Sequence, residues 1–431
     1  MTVADALMTD LHGSLQDPLL GSIGFLNEVM ERYPQAISFA PGAPHPEFYD
    51  GVDPARHIER WLGHLESGRG LSRSAARRRL FEYGPSRGLI NDLVAGLLRR
   101  DEGIDAAPES LVITVGAQEA MLLVLRALYP PGGDVLAVAD PSFVGLLGAA
   151  RLLDIPVVGI DETEDGPDLA ALAEACVAAR RDGRRVRACY VAPDFANPGG
   201  SRMSLAARHR LLELAARHDF LVLEDNTYGF TAAPGDRRPV LKALDRSRRV
   251  VHIGTFAKVC FPGARVGFVL ADQLVADPAG GHRLLADDLA ALKSMVTVNT
   301  PPLSQAVIGG ILLENGGSLA ASGRLRAARY QRNLDRLLDG LSRTLGPAGR
   351  PGVRWNRPGG GFFVRVEVPV PVTTELLELS AAKFGVLWTP MAQFYLNGGG
   401  ARRLRLSCSY LDADHIDEGV ARLAAFLKEG F

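Results

Sequence analysis

Residues 249–267 read Arg249-Val250-Val251-His252-Ile253-Gly254-Thr255-Phe256-Ala257-Lys258-Val259-Cys260-Phe261-Pro262-Gly263-Ala264-Arg265-Val266-Gly267. The apolar, β-rich run from Arg249 to Ile253 predicts a strand that delivers the following loop to the edge of a sheet. Lys258 on that loop is therefore expected at a site rather than in bulk solvent. An amine held there can form a Schiff base with an aldehyde, while Thr255 and Arg265 offer a hydroxyl and a fork of N–H donors to a phosphate. Pyridoxal phosphate carries both groups.

Three further segments look outward from this loop. In Leu223-Glu224-Asp225-Asn226-Thr227-Tyr228-Gly229 an apolar strand, Phe220 to Leu223, ends in an acidic pair followed by a tyrosine. A carboxylate at a strand's carboxyl end can pair with a pyridine nitrogen and keep it protonated, and Tyr228 can donate to a ring oxygen. Taken alone, Asp225 equally fits a helix cap and Tyr228 ordinary packing. In Leu111-Val112-Ile113-Thr114-Val115-Gly116-Ala117-Gln118-Glu119-Ala120-Met121 a strand turns through Gly116 into a helix whose free N–H groups near Ala117 and Gln118 suit a phosphate. In Tyr190-Val191-Ala192-Pro193-Asp194-Phe195-Ala196-Asn197-Pro198-Gly199-Gly200 another strand runs into a turn, from which the Asn197 amide can meet Tyr228 at the same oxygen.

Between about Leu111 and Leu270, β-branched runs (Asp134 to Ala139, Pro156 to Ile160, Val186 to Ala192, Phe220 to Leu223, Arg249 to Ile253) alternate with helical stretches such as Asp168 to Ala179 and Leu205 to Arg217. This pattern predicts an α/β fold with a mostly parallel sheet covered on both faces and ligands at the carboxyl ends of the strands. Gly116, Asn197, Asp225 and Lys258 all fall just past predicted strand ends, so they can converge. A helix from about Gly323 to Leu345 leads to a smaller α+β part with strands near Gly361 to Val368 and Ala401 to Ser407 and a final helix from Ala413 to Lys428. Pro358-Gly359-Gly360-Gly361 marks a tight entry and Asn397-Gly398-Gly399-Gly400 a loop before Arg405. The expected organisation is an N-terminal arm over residues 1–55 packing on the small domain, a large cofactor-binding domain over 56–315 and a C-terminal small domain over 316–431.

With these motifs in this order, the chain resembles the fold-type I pyridoxal-phosphate enzymes, and within them the class I/II aminotransferases, over nearly its whole length. The resemblance implies further roles. Phe143 in Asp140-Pro141-Ser142-Phe143 matches the aromatic that stacks on the cofactor ring, and Arg405 in Leu404-Arg405-Leu406-Ser407 the arginine that grips the substrate α-carboxylate in a bidentate pair. Tyr83 matches a tyrosine that reaches the phosphate in the neighbouring subunit, implying a homodimer with composite sites. Gly42 in Pro41-Gly42-Ala43-Pro44 matches a turn closing over the substrate, where the lack of a side chain is the requirement. Ala257, Thr227, Gly199 and Cys408 depart from the family's usual serine, proline, small hydroxyl residue and aromatic.

The implied activity is transfer of the amino group of an L-amino acid to a 2-oxo acid. Lys258 serves as Schiff-base and proton-transfer residue, and Asp225 and Tyr228 assist. The Leu15-Gln16-Asp17-Pro18-Leu19-Leu20-Gly21 opening and the Phe256-Ala257-Lys258 variant look most like actinobacterial secondary-metabolism enzymes, including aminotransferases that make aryl-glycines for peptide antibiotics. The alternative is a lincosamide-type tailoring enzyme, in which the same residues drive β-elimination of a cysteine S-conjugate or decarboxylating oxidative deamination.

Composition agrees with a small-molecule enzyme. The 431 residues are 47% hydrophobic and 23% charged with a net charge of -1, which disfavours nucleic acid or an anionic membrane as partner. The arginine-rich stretch Arg69 to Arg79 reads as a solvated helix or loop. Cys176, Cys189, Cys260 and Cys408 show no paired spacing and the nine histidines no ligand pattern, so neither a metal nor a disulfide framework is expected. No leading signal or long apolar span is read, which points to the cytoplasm.

Overall fold

The computed structural model describes residues 11–130, 132–233, 235–277, 280–346, 351–396 and 398–429. Asn397, read above as part of a loop, lies outside them.

Eight strands form the large sheet in the order Leu111–Thr114, Gly267–Leu270, Val250–Thr255, Leu221–Asp225, Val186–Val191, Val135–Asp140, Val157–Thr163, Gly166–Pro167. The inner five, from Val250–Thr255 to Val157–Thr163, run parallel, and the flanking ones pair antiparallel. Their residues are apolar on both sides because both sides are covered. Leu136, Val138, Leu223, Val251 and Ile253 pack beneath the helices Gly116–Leu128, Val144–Leu152 and Leu285–Val296. Ala137, Cys189, Val222 and Val250 pack against Leu169–Arg181 and Leu205–His218.

The predicted elements lie where expected with displaced ends. Asp225, expected just past a strand, is the last residue of Leu221–Asp225 because it still pairs in register with Ile253. Thr255 likewise extends the lysine strand by pairing with Gly267. Asp168 is not the first helical residue but the cap of Leu169–Arg181, its carboxylate accepting the N–H groups of Ala170 and Ala171.

A second, antiparallel sheet follows the order Arg354–Trp355, Phe363–Glu367, Arg403–Ser407, Thr389–Pro390. It shares an apolar core with the helices Ala320–Leu345 and Ala413–Glu429. The N-terminal segment joins this core, since Ile37–Ser38 pairs in parallel with Val386–Leu387. It also reaches the large sheet, where Leu19 packs on the helical layer and Asp17 pairs with Arg151 at 3.3 Å. The arm therefore bridges both parts rather than resting on the small one alone.

The arginine-rich stretch becomes the exposed helix Arg73–Arg78, with its charge met locally: Arg69 pairs with Asp92 at 3.0 Å and Arg73 with Glu66 at 2.6 Å. The four cysteines are buried and free, and no group of side chains among the described residues is arranged to hold a metal ion. No helix among them is long and apolar enough to cross a membrane.

The helices Pro54–Arg69 and Pro302–Glu314 lie so close that a Cβ at Gly310 would stand 2.0 Å from the His57 carbonyl oxygen. Backbone does not yield as a side-chain tip does. Gly310→Ala is expected to destabilise the protein by about 1–3 kcal/mol in denaturant unfolding, as overpacking does, whereas Gly183→Ala, with open space around it, carries only the strain of its left-handed φ.

Candidate active site

A cavity of about 610 Å³ opens at the carboxyl ends of the parallel strands, between the large sheet and the small one. Eleven of the predicted site residues line it: Gly42, Ala117, Gln118, Phe143, Asn197, Asp225, Tyr228, Thr255, Lys258, Arg265 and Arg405. Tyr83 does not; it is 90% exposed on the surface of its own chain.

Lys258 stands at the centre. Its Nζ donates to the Gly42 carbonyl at 2.5 Å. Burial, then the charges of Arg405 and Arg265, press its pKa down to about 8, with Asp225 opposing. The loop that carries it is braced by the buried Arg326, which donates to the Lys258 and Cys260 carbonyls at 3.4 and 3.3 Å and to that of Phe48 at 3.2 Å.

Asp225 is buried, and burial raises its pKa against the hydrogen bonds it accepts. Tyr190 donates to Oδ2 at 2.8 Å and Thr227 to Oδ1 at 2.5 Å. Neither donor was among the predicted site residues. Thr227 was legible as a hydroxyl two positions beyond an aspartate, whereas Tyr190 belongs to the neighbouring strand and carried no local signal. The Tyr228 hydroxyl is held well above its ordinary pKa by burial and is hydrogen-bonded by Asn197.

At one end of the cavity lies a cradle for an anion. The helix Gly116–Leu128 starts without a side-chain cap, which leaves the N–H groups of Ala117 and Gln118 to the cavity. Gly116, at φ +77°, admits the Arg265 guanidinium: a Cβ there would lie 2.5 Å from Nη2. Thr255 accepts the Ala257 N–H at 3.1 Å, so its hydroxyl proton is free to point outward. Gln118 spends its side-chain amide on the Gly145 carbonyl at 2.6 Å, and only its backbone serves the cradle.

At the other end sits Arg405, 6% exposed. It donates to Asn197 Oδ1 at 2.6 Å, to the Ala40 carbonyl at 3.0 Å and to Thr389 at 3.3 Å, and its guanidinium carbon lies 4.3 Å from the Phe363 ring centre and 5.0 Å from that of Phe394. Nε has no partner, and among the described residues no carboxylate pairs with this cation. Burial lowers its pKa to about 10, the Tyr228 hydroxyl opposing. Gly42 is required here for space, since a Cβ would lie 2.7 Å from Phe363 Cζ. Thr389, Phe363 and Phe394 come from segments whose approach only the tertiary fold reveals.

The cradle, the central amine and the buried carboxylate suit the phosphate, aldehyde and ring nitrogen of pyridoxal phosphate, and Arg405 leaves a place for one more carboxylate. The sequence pattern of aminotransferase class I and II covers residues 59–423. The chain belongs to that family. It is 51% identical over 420 residues to an (S)-3,5-dihydroxyphenylglycine transaminase of Amycolatopsis orientalis, covering 97% of this chain and 94% of that one. A 2-aminoadipate transaminase of Thermus thermophilus is 33% identical over 405 residues, covering 92% and 91%. Among solved structures, a multiple substrate aminotransferase from Thermococcus profundus superposes with a TM-score of 0.80 at 28% identity over 98% of both chains. This aminotransferase is a pyridoxal-phosphate enzyme of fold type I.

The depressed amine can be measured without turnover. Competitive acetylation of the apoprotein should titrate Lys258 with a midpoint near 8, against about 10.4 for a solvated lysine. Arg405→Met removes a neighbouring positive charge and should move the midpoint upward. A midpoint of an ordinary lysine in the unmodified protein would contradict the electrostatics described.

Proposed function

We propose that Lys258 is the residue to which the cofactor is attached and the proton carrier of transamination, acting on an aryl-glycine and its 2-oxo acid. The observation that carries this reading is the buried, carboxylate-free Arg405 set between two phenylalanines at one end of a cavity whose other end is an anion cradle. Ala117, Gln118, Thr255 and Arg265 would hold the phosphate, Asp225 the ring nitrogen, Tyr228 and Asn197 the ring oxygen, and Phe143 the ring face. When bound, pyridoxal phosphate supplies an aldehyde for the substrate amine and a protonated ring that takes up the electron pair left at Cα.

The protein's own groups do the rest. Arg405 takes the α-carboxylate with paired N–H donors, and Asn197 fixes the plane of the guanidinium. Its position orients the Cα–H toward Lys258. The amine, with a pKa brought near 8 by burial and two arginines, is neutral often enough to remove that proton and acidic enough to return it. Tyr190 and Thr227 keep the Asp225 carboxylate turned to its partner.

The remaining wall is mostly apolar, with Met30, Val144, Phe363 and Phe394 beside the uncharged polar Gln393 and Thr389, and among the described residues it offers no charged group beyond Asp225, Lys258, Arg265 and Arg405. Such a wall favours an uncharged aromatic side chain over an acidic one. The likeness to the dihydroxyphenylglycine transaminase supports the same class and a place in antibiotic biosynthesis. Exposed Phe81, Tyr83, Met295 and Val296 support a homodimer in which Tyr83 of the partner subunit completes the phosphate site. The domain limits 1–55, 56–315 and 316–431 and a cytoplasmic location belong to the same reading.

Lys258→Ala should abolish amino transfer, with a loss of at least about 10³-fold in kcat. The unaltered enzyme should prefer aryl-glycines to aspartate by about tenfold or more in kcat/KM, scored by oxo-acid-dependent product. Thiol and pyruvate released from a cysteine S-conjugate without added oxo acid would instead mark elimination.

A further inference from the structure

The turn that carries Asn197 is fastened by a side chain from elsewhere. A Cβ on Gly199 would lie 1.6 Å from Glu162 Oε2, so the glycine is there for space. Glu162, near the end of Val157–Thr163, fills that space with a side chain only 3% exposed. Its Oε1 accepts from Ser201 at 2.7 Å, and Oε2 meets Arg365 Nη1 at 3.5 Å.

Arg365 belongs to the small sheet, two residues beyond Phe363, whose ring lies on Arg405. Asn356 closes the connection. Its Nδ2 donates to the Gly199 carbonyl at 2.7 Å, and its Oδ1 accepts the Arg365 N–H at 2.7 Å. Asn197, at the start of the fastened turn, accepts from Arg405 at 2.6 Å.

We propose that Glu162 is a positioning residue for the substrate carboxylate: it occupies the volume vacated at Gly199 and clamps the 197–201 turn to the 363–367 strand, holding Asn197 and Arg405 in register. The clamp rests on the reading of Arg405 given above. The Glu162 side chain thereby occupies the volume that a side chain at position 199 would need.

The charged groups facing Glu162 are Arg365 from the small sheet and Asp140 from the neighbouring strand. Burial raises the Glu162 carboxyl to about 7, the Ser201 bond and Arg365 opposing and Asp140 adding to the rise. The pair with Arg365 therefore gains strength as pH rises through that value and loses it below.

The test is reciprocal and uses the holoenzyme. Gly199→Ser should drive its Cβ into the carboxylate and raise the KM for the oxo acid, and the Kd of an unreactive arylacetate, by about tenfold while kcat stays within about twofold. Gly199→Ser with Glu162→Ala should relieve the clash and improve clearly on the single variant, yet stay about threefold or more above the unaltered enzyme because the contacts to Ser201 and Arg365 are gone. Glu162→Gln should remove the rise in KM that the unaltered enzyme shows on the acid side of about pH 7.

A Gly199→Ser enzyme with unaltered KM, or a double variant no better than the single one when both fold by circular dichroism, would overturn the clamp. If Gly199→Ser does not fold, persistence of the acid-side rise in Glu162→Gln overturns it. Arg405→Lys is the control: unaltered arylacetate affinity there would refute the carboxylate site, while the reciprocal rescue judges the clamp separately.

Discussion

Among the described residues, three cations, Lys258, Arg265 and Arg405, face one cavity that contains a single carboxylate, Asp225. Like charges confined away from water repel strongly, and desolvation adds to the cost. Burial is the first cause of both shifts, of the guanidinium brought toward 10 and of the amine pressed toward 8, where the two arginine charges add to it. Anions relieve the repulsion. A phosphate at Arg265 and a carboxylate at Arg405 would neutralise the two ends, leaving burial as the cause that still holds the Lys258 amine below an ordinary lysine. Affinity for an anion at each end thus follows from one imbalance of charge.

Architecture makes the imbalance tolerable. Asp225, Lys258 with Thr255, and Asn197 come from adjacent parallel strands or the loops just past them, so the sheet delivers them to one edge. Arg405 arrives from the second sheet and is held by Ala40, Thr389 and Asn197 instead of by an acid. A carboxylate partner would pair with it directly and compete with substrate. Neutral acceptors orient the guanidinium and leave its charge unspent. Because the two ends of the cavity belong to different sheets, their separation depends on fastenings such as Arg326 and the Glu162 contacts.

Much of this was legible in the sequence, for a definable reason. Lys258, Asp225, Asn197 and the Gly116 helix start each sit where an apolar run gives way to turn or helix residues, and that transition is a local signal. Arg405 and Phe143 were legible only through resemblance, since an arginine in a short strand equally fits a solvent edge. Tyr190, Thr389, Phe363 and Phe394 were not read as site residues, for their approach is set by tertiary packing. The carboxyl ends of strands were placed early because Asp225 and Thr255 keep their ladder partners after the apolar run has ended. Gly199 was noted as a departure from the family, but the glutamate that explains it lies 37 positions upstream in another strand.

The charge account is tested most directly by borohydride reduction of the protein with two aldehydes that differ only in phosphate. With pyridoxal phosphate, the reduced label should map to the Lys258 peptide; with pyridoxal, the same peptide should be labelled far more weakly, because the cradle at Ala117, Thr255 and Arg265 has no anion to hold. Equal labelling by both aldehydes, or a label on another lysine, would contradict it.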